Sequence, residues 1–292
     1  MQTFDPAKPT DIKAMLDFDV AKKSLGQHFL TDKSVVEKMV KTAKIGLADS
    51  IFEIGPGLGV LTKQIIKASP KKLIACELDR KLFSILQNQY SSNIKLVNQN
   101  ALTLIPELVV NKPFKVVSNL PYNISSSSII SLLTICPTLP EKIVVMVQKE
   151  VAERIIAPPH DSNRGILTVF VELLGEAKIT QKVSAGLFYP PPQVESAVLL
   201  IDNIKEFGLP RLKVFKLIKM AFSKKRKKIK NSLFASLQIL PDKANEIAEK
   251  SNISLESRPE ELTKDQWFKL LTILIKHSTE QTIKNGSADN FV

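Results

Sequence analysis

From residue 51 onward, short aliphatic runs alternate with segments of helical length, and no other feature of the chain narrows its fold so far. Strands are predicted at 51–54, 73–77, 94–97, 115–118 and 143–148, with helix-length stretches at 60–68, 79–90 and 125–135 between them. Neighbouring parallel strands need a crossover, usually a helix, so this rhythm predicts an α/β fold built on a mostly parallel, doubly wound sheet. Two further strands, 178–184 and 197–201, lack a full intervening helix and are expected to pair antiparallel at one edge. After about residue 205 the strand pattern stops and charged helical segments take over. Trp267, Leu271 and Leu274 fall at i, i+4 and i+7, a stripe that faces a core, and Thr263 with Gln266 resembles a capping box ahead of it. The expected organisation is a sheet domain over 1–205, a small all-helical domain over 206–280 and a polar tail over 281–292.

Composition then removes several classes. A hydrophobic share of 44% suits a packed core. No apolar run approaches the roughly 18–20 residues of a membrane span. The first residues lack a basic segment followed by an apolar one, so secretion is not expected. Cys76 and Cys136 are too few for a disulfide framework, and His28, His160 and His277 are scattered, so no metal site is expected. The chain reads as a soluble, cytoplasmic protein. Its 41 Lys and Arg against 29 Asp and Glu give a net charge of +12, which points to an anionic partner.

That charge is concentrated. Eleven of the basic residues and one acidic residue, Glu206, lie between 205 and 230, including the unbroken run Lys224, Lys225, Arg226, Lys227 and Lys228. A solvated helix face and a nuclear-import signal are the competing readings. Self-repulsion within five adjacent cations favours neutralisation by phosphates, and flanking amphipathic residues favour a folded helix pair over a free tail.

Glu53-Ile54-Gly55-Pro56-Gly57-Leu58-Gly59 follows the first strong strand and opens a helix. Glycines there allow a tight turn and a close approach to a ligand. Glu77 ends the next strand, 22 residues after Gly55, where a carboxylate can accept hydrogen bonds from both hydroxyls of a ribose. A dinucleotide fingerprint would need a third glycine at Val60. Its absence disfavours a nicotinamide dehydrogenase and favours S-adenosylmethionine, which has no phosphate to cradle.

Ser118-Asn119-Leu120-Pro121-Tyr122-Asn123 follows the fourth strand, hence at the same carboxyl edge of the sheet. An exocyclic base amine is a weak nucleophile because its lone pair is delocalised into the ring. The Asn119 side-chain carbonyl and a backbone carbonyl near Leu120, aimed by Pro121, can orient such an amine, and Tyr122 offers a face for an extruded base.

These segments resemble the small-subunit ribosomal RNA adenine N6,N6-dimethyltransferases, the kasugamycin-resistance methyltransferase family. The resemblance runs through Lys23 to Leu30, Glu53 to Gly59, Glu77 to Asp79, Asn119 to Ser125, Gln148 to Ala152, Phe188 to Val198, and Ala221 to Leu233. It implies a Rossmann-like methyltransferase sheet and transfer of two methyl groups to each of two adjacent adenosines near the 3′ end of small-subunit rRNA. The implied substrate is an immature small ribosomal subunit, and the enzyme is expected to be a monomer. Cofactor contacts are implied for His28, Leu30, Gly55, Gly57, Glu77, Asn100 and Asn119. Asn119 with the Leu120 and Pro121 backbone would hold the amine, with Tyr122 and Phe188 sandwiching the adenine. Lys224 to Lys228 would then dock on rRNA phosphates. Two positions depart from the family: His28 stands where Asn is common, and Asn100 where Asp is usual, which predicts slightly weaker cofactor binding. The alternatives are a non-catalytic rRNA-binding assembly factor and a large-subunit rRNA adenine methyltransferase of the antibiotic-resistance type.

Overall fold

The computed structural model describes residues 28–285 apart from 91–93, 109, 111 and 225. In chain order its elements are β1 (Phe29–Leu30), α1 (Lys33–Ala43), β2 (Ser50–Ile54), α2 (Val60–Lys67), β3 (Lys72–Cys76), α3 (Arg80–Tyr90), β4 (Lys95–Val97), α4 (Ala101–Leu104), β5 (Phe114–Asn119), α5 (Ser125–Thr134), β6 (Lys142–Gln148), α6 (Lys149–Ile155), α7 (Ile166–Leu174), β7 (Glu176–Val183), β8 (Phe188–Tyr189), β9 (Ser196–Asp202), α8 (Arg211–Ala221), α9 (Pro241–Ser251) and α10 (Lys264–Asn285). The chain divides into two compact units.

The first unit runs to Glu153 and resumes over Glu176–Lys205. Its seven-stranded sheet has the order β4-β3-β2-β5-β6-β9-β7. The β4 to β6 side is parallel, and β9 and β7 complete it antiparallel, as the missing helix between them implies. Every residue of β2 is buried, Ser50 and Glu53 included, and β6 is buried from Ile143 to Val147, because a strand inside the sheet is covered on both faces; in β6 this shows as a continuous apolar run. β3 and β5 leave β2 on opposite sides. The strand order reverses there, which opens a crevice at the carboxyl ends. Ends shift by a residue or two from those the sequence predicts, since ladder partners fix them. Glu77, expected to close a strand, lies just beyond β3.

α1 begins at Asp32, whose Oδ1 accepts a hydrogen bond from the Val35 amide at 3.1 Å. Val35, Val36, Met39 and Ala43 form its buried stripe and share a core with Val117, Val144 and Met146. Separately, β1 and β8 make a two-stranded antiparallel ribbon that pairs Phe29 with Tyr189 and Leu30 with Phe188.

The second unit combines Arg154–Gly175 with the chain from Glu206 onward. The sequence places residues 154–175 in the sheet domain. α7 is buried almost all round, from Leu167 to Val171 and at Leu173 and Leu174, so its pattern cannot reveal which layer it joins. Arg164 fixes this segment: its guanidinium donates to the carbonyls of Ala157 at 3.0 Å and Leu262 at 3.2 Å and pairs with Glu172 at 2.5 Å. Trp267, Leu271 and Leu274 are buried as their spacing predicts. Thr263 and Gln266 exchange the reciprocal bonds of a capping box. α10 continues through residue 285, so it takes in the start of the expected polar tail; residues 286–292 lie outside the described ones. No helix of the described residues is long and apolar enough to cross a membrane.

Candidate active site

The site lies at the carboxyl ends of β2, β3 and β5. β2 passes into the glycine turn, where Gly55, Gly57 and Gly59 all have positive φ (65°, 62° and 82°). Two of these are demanded by their surroundings. A Cβ on Gly55 would meet Pro121 Cγ at 3.0 Å, so this turn and the Asn119-Leu120-Pro121-Tyr122 segment touch through the missing side chain. A Cβ on Gly59 would lie 2.9 Å from the Tyr90 ring and 3.0 Å from Leu86. The Gly55 amide donates to the Cys76 carbonyl at 2.8 Å, which ties the turn to the end of β3.

Glu77 is buried and held from two sides. Its Oε2 accepts from the Gly57 amide at 3.1 Å and its Oε1 from the Asp79 amide at 2.9 Å. Burial pushes its carboxyl above the usual range, against the pull of these amides. Asn98, which the sequence does not single out, donates from its amide to the Glu77 carbonyl at 2.8 Å and so fixes the loop carrying Glu77.

Glu53 is a second carboxyl in the same wall. It is 1% exposed, and its Oε2 accepts from Thr62 Oγ1 at 2.8 Å. Burial, with Glu77 adding like-charge repulsion, raises it to about 8. The described residues that line the cleft include no Lys or Arg; its ionisable side chains are the carboxyls of Glu53 and Glu77 and the imidazole of His28. A protein of net charge +12 thus lines this cleft with carboxyls and apolar side chains.

Of the expected cofactor residues, His28, Leu30, Gly55, Gly57, Glu77, Asn100 and Asn119 all line this cleft. Asn100 does so as the N-cap of α4, where its Oδ1 accepts from the Leu102 amide at 2.9 Å. Leu78, half exposed, offers an apolar surface beside it.

Asn119 ends β5. The Leu120 amide donates to the Met146 carbonyl at 3.1 Å, and Pro121 sits at φ −55°, ψ 131°, turning the chain into the short helical turn Tyr122–Ile124. The Tyr122 hydroxyl lies 2.6 Å from Ser196 Oγ, and its ring is stacked with that of His28, centroids 5.4 Å apart. His28 Nδ1 is 2.8 Å from the Pro190 carbonyl oxygen, which can only accept, so Nδ1 carries the proton. Ser196 and Pro190 were legible only as parts of the Phe188 to Val198 segment, with no signal for their contacts.

The resemblance pairs Phe188 with Tyr122 across a base. Its side chain is 4% exposed and packs with Leu30, Val36 and Val198. Leu30 and Val36 line the cleft, and the β1–β8 register puts Phe188 opposite Leu30, so its ring stands directly behind that wall.

The basic run falls in the connection between α8 and a further helical segment, Lys230–Phe234, so helices flank it as the amphipathic residues predict. α8 stops at Ala221, and Lys224, Arg226, Lys227 and Lys228 occupy the exposed connection that follows, with Arg226 at φ 64°; Lys225 lies outside the described residues. Glu256, distant in sequence, forms ion pairs with Lys228 and Lys230. Among the described residues no group of three His, Cys, Asp or Glu could hold a metal.

Comparison with known proteins gives concordant results. A family model described as ribosomal RNA adenine dimethylase matches residues 19–276. The chain is 38% identical to a ribosomal RNA small subunit methyltransferase A of Clostridium botulinum, over 85% of this chain and 92% of that one. It is 36% identical to a protein of the same name from Dehalococcoides mccartyi, over 86% and 87%. A crystal structure of a dimethyladenosine transferase from Plasmodium falciparum superposes with a TM-score of 0.73 at 27% identity, covering 85% of this chain and 98% of that one.

Proposed function

The chain belongs to the ribosomal RNA adenine dimethylase family, and from that premise we propose that it transfers methyl groups from S-adenosylmethionine to the N6 amines of two adjacent adenosines near the 3′ end of small-subunit rRNA. It acts as a monomer in the cytoplasm, on an immature small subunit, twice at each adenosine. One observation carries the assignment of cofactor and chemistry: a cleft lined by the carboxyls of Glu53 and Glu77, with no Lys or Arg among its described lining, opens beside Asn119-Leu120-Pro121-Tyr122. Such walls suit a ligand with a net positive charge and a ribose, and they oppose a pyrophosphate.

Glu77, held open by two backbone amides, accepts from the ribose hydroxyls. Gly55 and Gly57 let the backbone approach, and Leu30 and Leu78 supply apolar contact. When bound, S-adenosylmethionine supplies an electrophilic methyl group on a sulfonium leaving group, so no protein nucleophile is required. The Asn119 carbonyl oxygen accepts from the target amine and favours a lone pair free to attack. Pro121 fixes the backbone that presents the amine, and the Tyr122 ring, braced by Ser196 and His28, stacks on the base. Phe188 acts from behind, supporting Leu30. Lys224, Lys225, Arg226, Lys227 and Lys228 engage rRNA phosphates, with Lys228 shared with Glu256.

The test is incubation with labelled S-adenosylmethionine and small subunits that lack the dimethyladenosines, followed by mapping of modified nucleotides. Label on two adjacent adenosines of small-subunit rRNA supports the reading. Binding without transfer would leave a non-catalytic assembly factor, and transfer only to large-subunit RNA would select the resistance-type enzyme.

A further inference from the structure

Glu53 is placed for more than holding the glycine turn. It lines the cleft yet is 1% exposed, and one of its oxygens is committed to Thr62. The ionisable groups around it are all acidic or neutral: Glu77 at the end of β3 with Asp79 behind it, Cys76 on β3, and the Tyr90 hydroxyl on α3 beside the Gly59 carbonyl. Across the cleft stands His28, and no Lys or Arg lines it among the described residues. Burial and Glu77 hold the Glu53 carboxyl at about 8, and the same burial with neighbouring carboxylates drives Cys76 and Tyr90 each to about 12. A carboxyl in such a place is neutral near pH 7 until a positive charge enters beside it.

The methyl donor and its spent product differ by one positive charge. We propose, on the reading that S-adenosylmethionine is the cofactor, that Glu53 is a specificity-determining residue that distinguishes the cationic donor from the neutral product, giving up its proton when the donor enters and retaking one after the methyl group has left. In the transfer itself, the adenine nitrogen's lone pair forms the new N–C bond. The electron pair of the broken C–S bond stays on sulfur, and the proton shed by nitrogen passes to solvent. Glu53 exchanges its proton with solvent in separate steps, so one full cycle releases a single proton. The consequence is product release: once the charge is gone, an ionised Glu53 facing Glu77 is no longer compensated, and the neutral product is held less tightly than the donor.

Isothermal titration calorimetry of the full chain with S-adenosylmethionine and, separately, S-adenosylhomocysteine tests this, at pH 7 in two buffers of different ionisation enthalpy. The expected result is release of close to one proton with the donor and close to none with the product. Donor affinity should rise by up to about tenfold per pH unit between 6 and 8 while product affinity stays level. Glu53→Gln, which keeps the Thr62 hydrogen bond, should abolish the proton release and the pH slope and narrow the donor-to-product preference. Equal proton release with both ligands, or unchanged release in Glu53→Gln, overturns the proposal. If neither ligand binds, the cofactor reading itself fails. Should the variant not fold, the comparison of the two ligands on the wild type still decides.

Discussion

Two regions of this chain use charge in opposite ways. The cleft at the ends of β2, β3 and β5 has two carboxyls, both buried, among apolar side chains and backbone amides. The connection after α8 has a run of cations, all exposed where described, with Glu256 as counter-charge for Lys228. Coulomb's law weights them differently. At an effective dielectric near 20, one charge at 4 Å is felt at about 4 kcal/mol, against about 1 kcal/mol in water. A few buried carboxyls can therefore discriminate ligands, whereas exposed lysines act as a screened sum that sets affinity for a polyanion without reading it. Net charge reports only the second region and conceals the first.

The largest expected effect lies in the cleft. Asn119→Ala removes the side-chain acceptor for the target amine and should lower kcat by about 10³-fold, roughly 4 kcal/mol, as loss of one preorganised polar group does elsewhere. Binding to small subunits, measured by filtration, should be nearly unchanged. A parallel loss of subunit binding would break the division between the two regions.

Glu53 provides the next test, on stability. Its carboxyl sits at about 8 in the folded chain and near 4.5 when exposed. Below 4.5 both states hold the proton and pH has no effect through this group. Between 4.5 and 8 only the folded state keeps it, so stability falls as pH rises, by up to about 1.4 kcal/mol per unit, and levels off above 8. Thermal melting from pH 5 to 8 should show a loss of about 3 kcal/mol that Glu53→Gln abolishes. Added salt should leave it in place, since buried groups are poorly screened. A pH profile identical in the variant would place the titrating group elsewhere.

The exposed region should behave in the contrary way. Lys224→Ala, Arg226→Ala and Lys227→Ala together remove the described cations of the run that Glu256 does not neutralise. The slope of log affinity for rRNA against log salt should fall by about 2 to 3, at about 0.7 to 0.9 per phosphate contact, while cofactor affinity stays constant. Lys228→Ala should have the smaller effect of the single changes, because Glu256 already shares its charge.

How much of this was legible in the sequence follows the same contrast. β6 could be read because a strand covered on both faces needs an unbroken apolar run, β2 and β5 from shorter aliphatic clusters spaced by helices, and Gly55 to Gly59 because a turn at positive φ leaves a mark in residue type. Glu77 followed from its spacing. What the sequence hides is what distant segments do together. α7 is buried almost all round and gives no sign that it joins the helical unit. Phe188 reads as a pocket aromatic, but nothing in the sequence shows that it is 4% exposed and paired with Leu30 behind the cleft wall. Glu256 gives no sign of its lysine partners. The acidity of the cleft emerges only when Glu53 and Glu77 meet without a basic neighbour.

The smallest expected effect concerns Asn100 and sharpens the account of the cleft. The family usually has Asp here. In this chain Asn100 Oδ1 is already the N-cap acceptor for the Leu102 amide. That oxygen's second lone pair is a neutral acceptor tied to the cap geometry, and Nδ2 is a donor that cannot accept from the amine of the cofactor's adenine. Asp would keep the cap with one oxygen and offer the other as a charged acceptor, in a cleft whose ligand is cationic and whose walls already carry Glu53 and Glu77. The position is exposed, so screening limits the gain. Asn100→Asp should tighten S-adenosylmethionine binding by about 3- to 10-fold, about 1 kcal/mol, in calorimetric titration. S-adenosylhomocysteine has the same adenine and lacks the sulfonium charge. If the gain comes from the adenine amine, both ligands should tighten equally; if it comes from added negative potential, the donor alone should. An unchanged or weaker affinity for both would mean that the cap, and not the cofactor, claims this side chain.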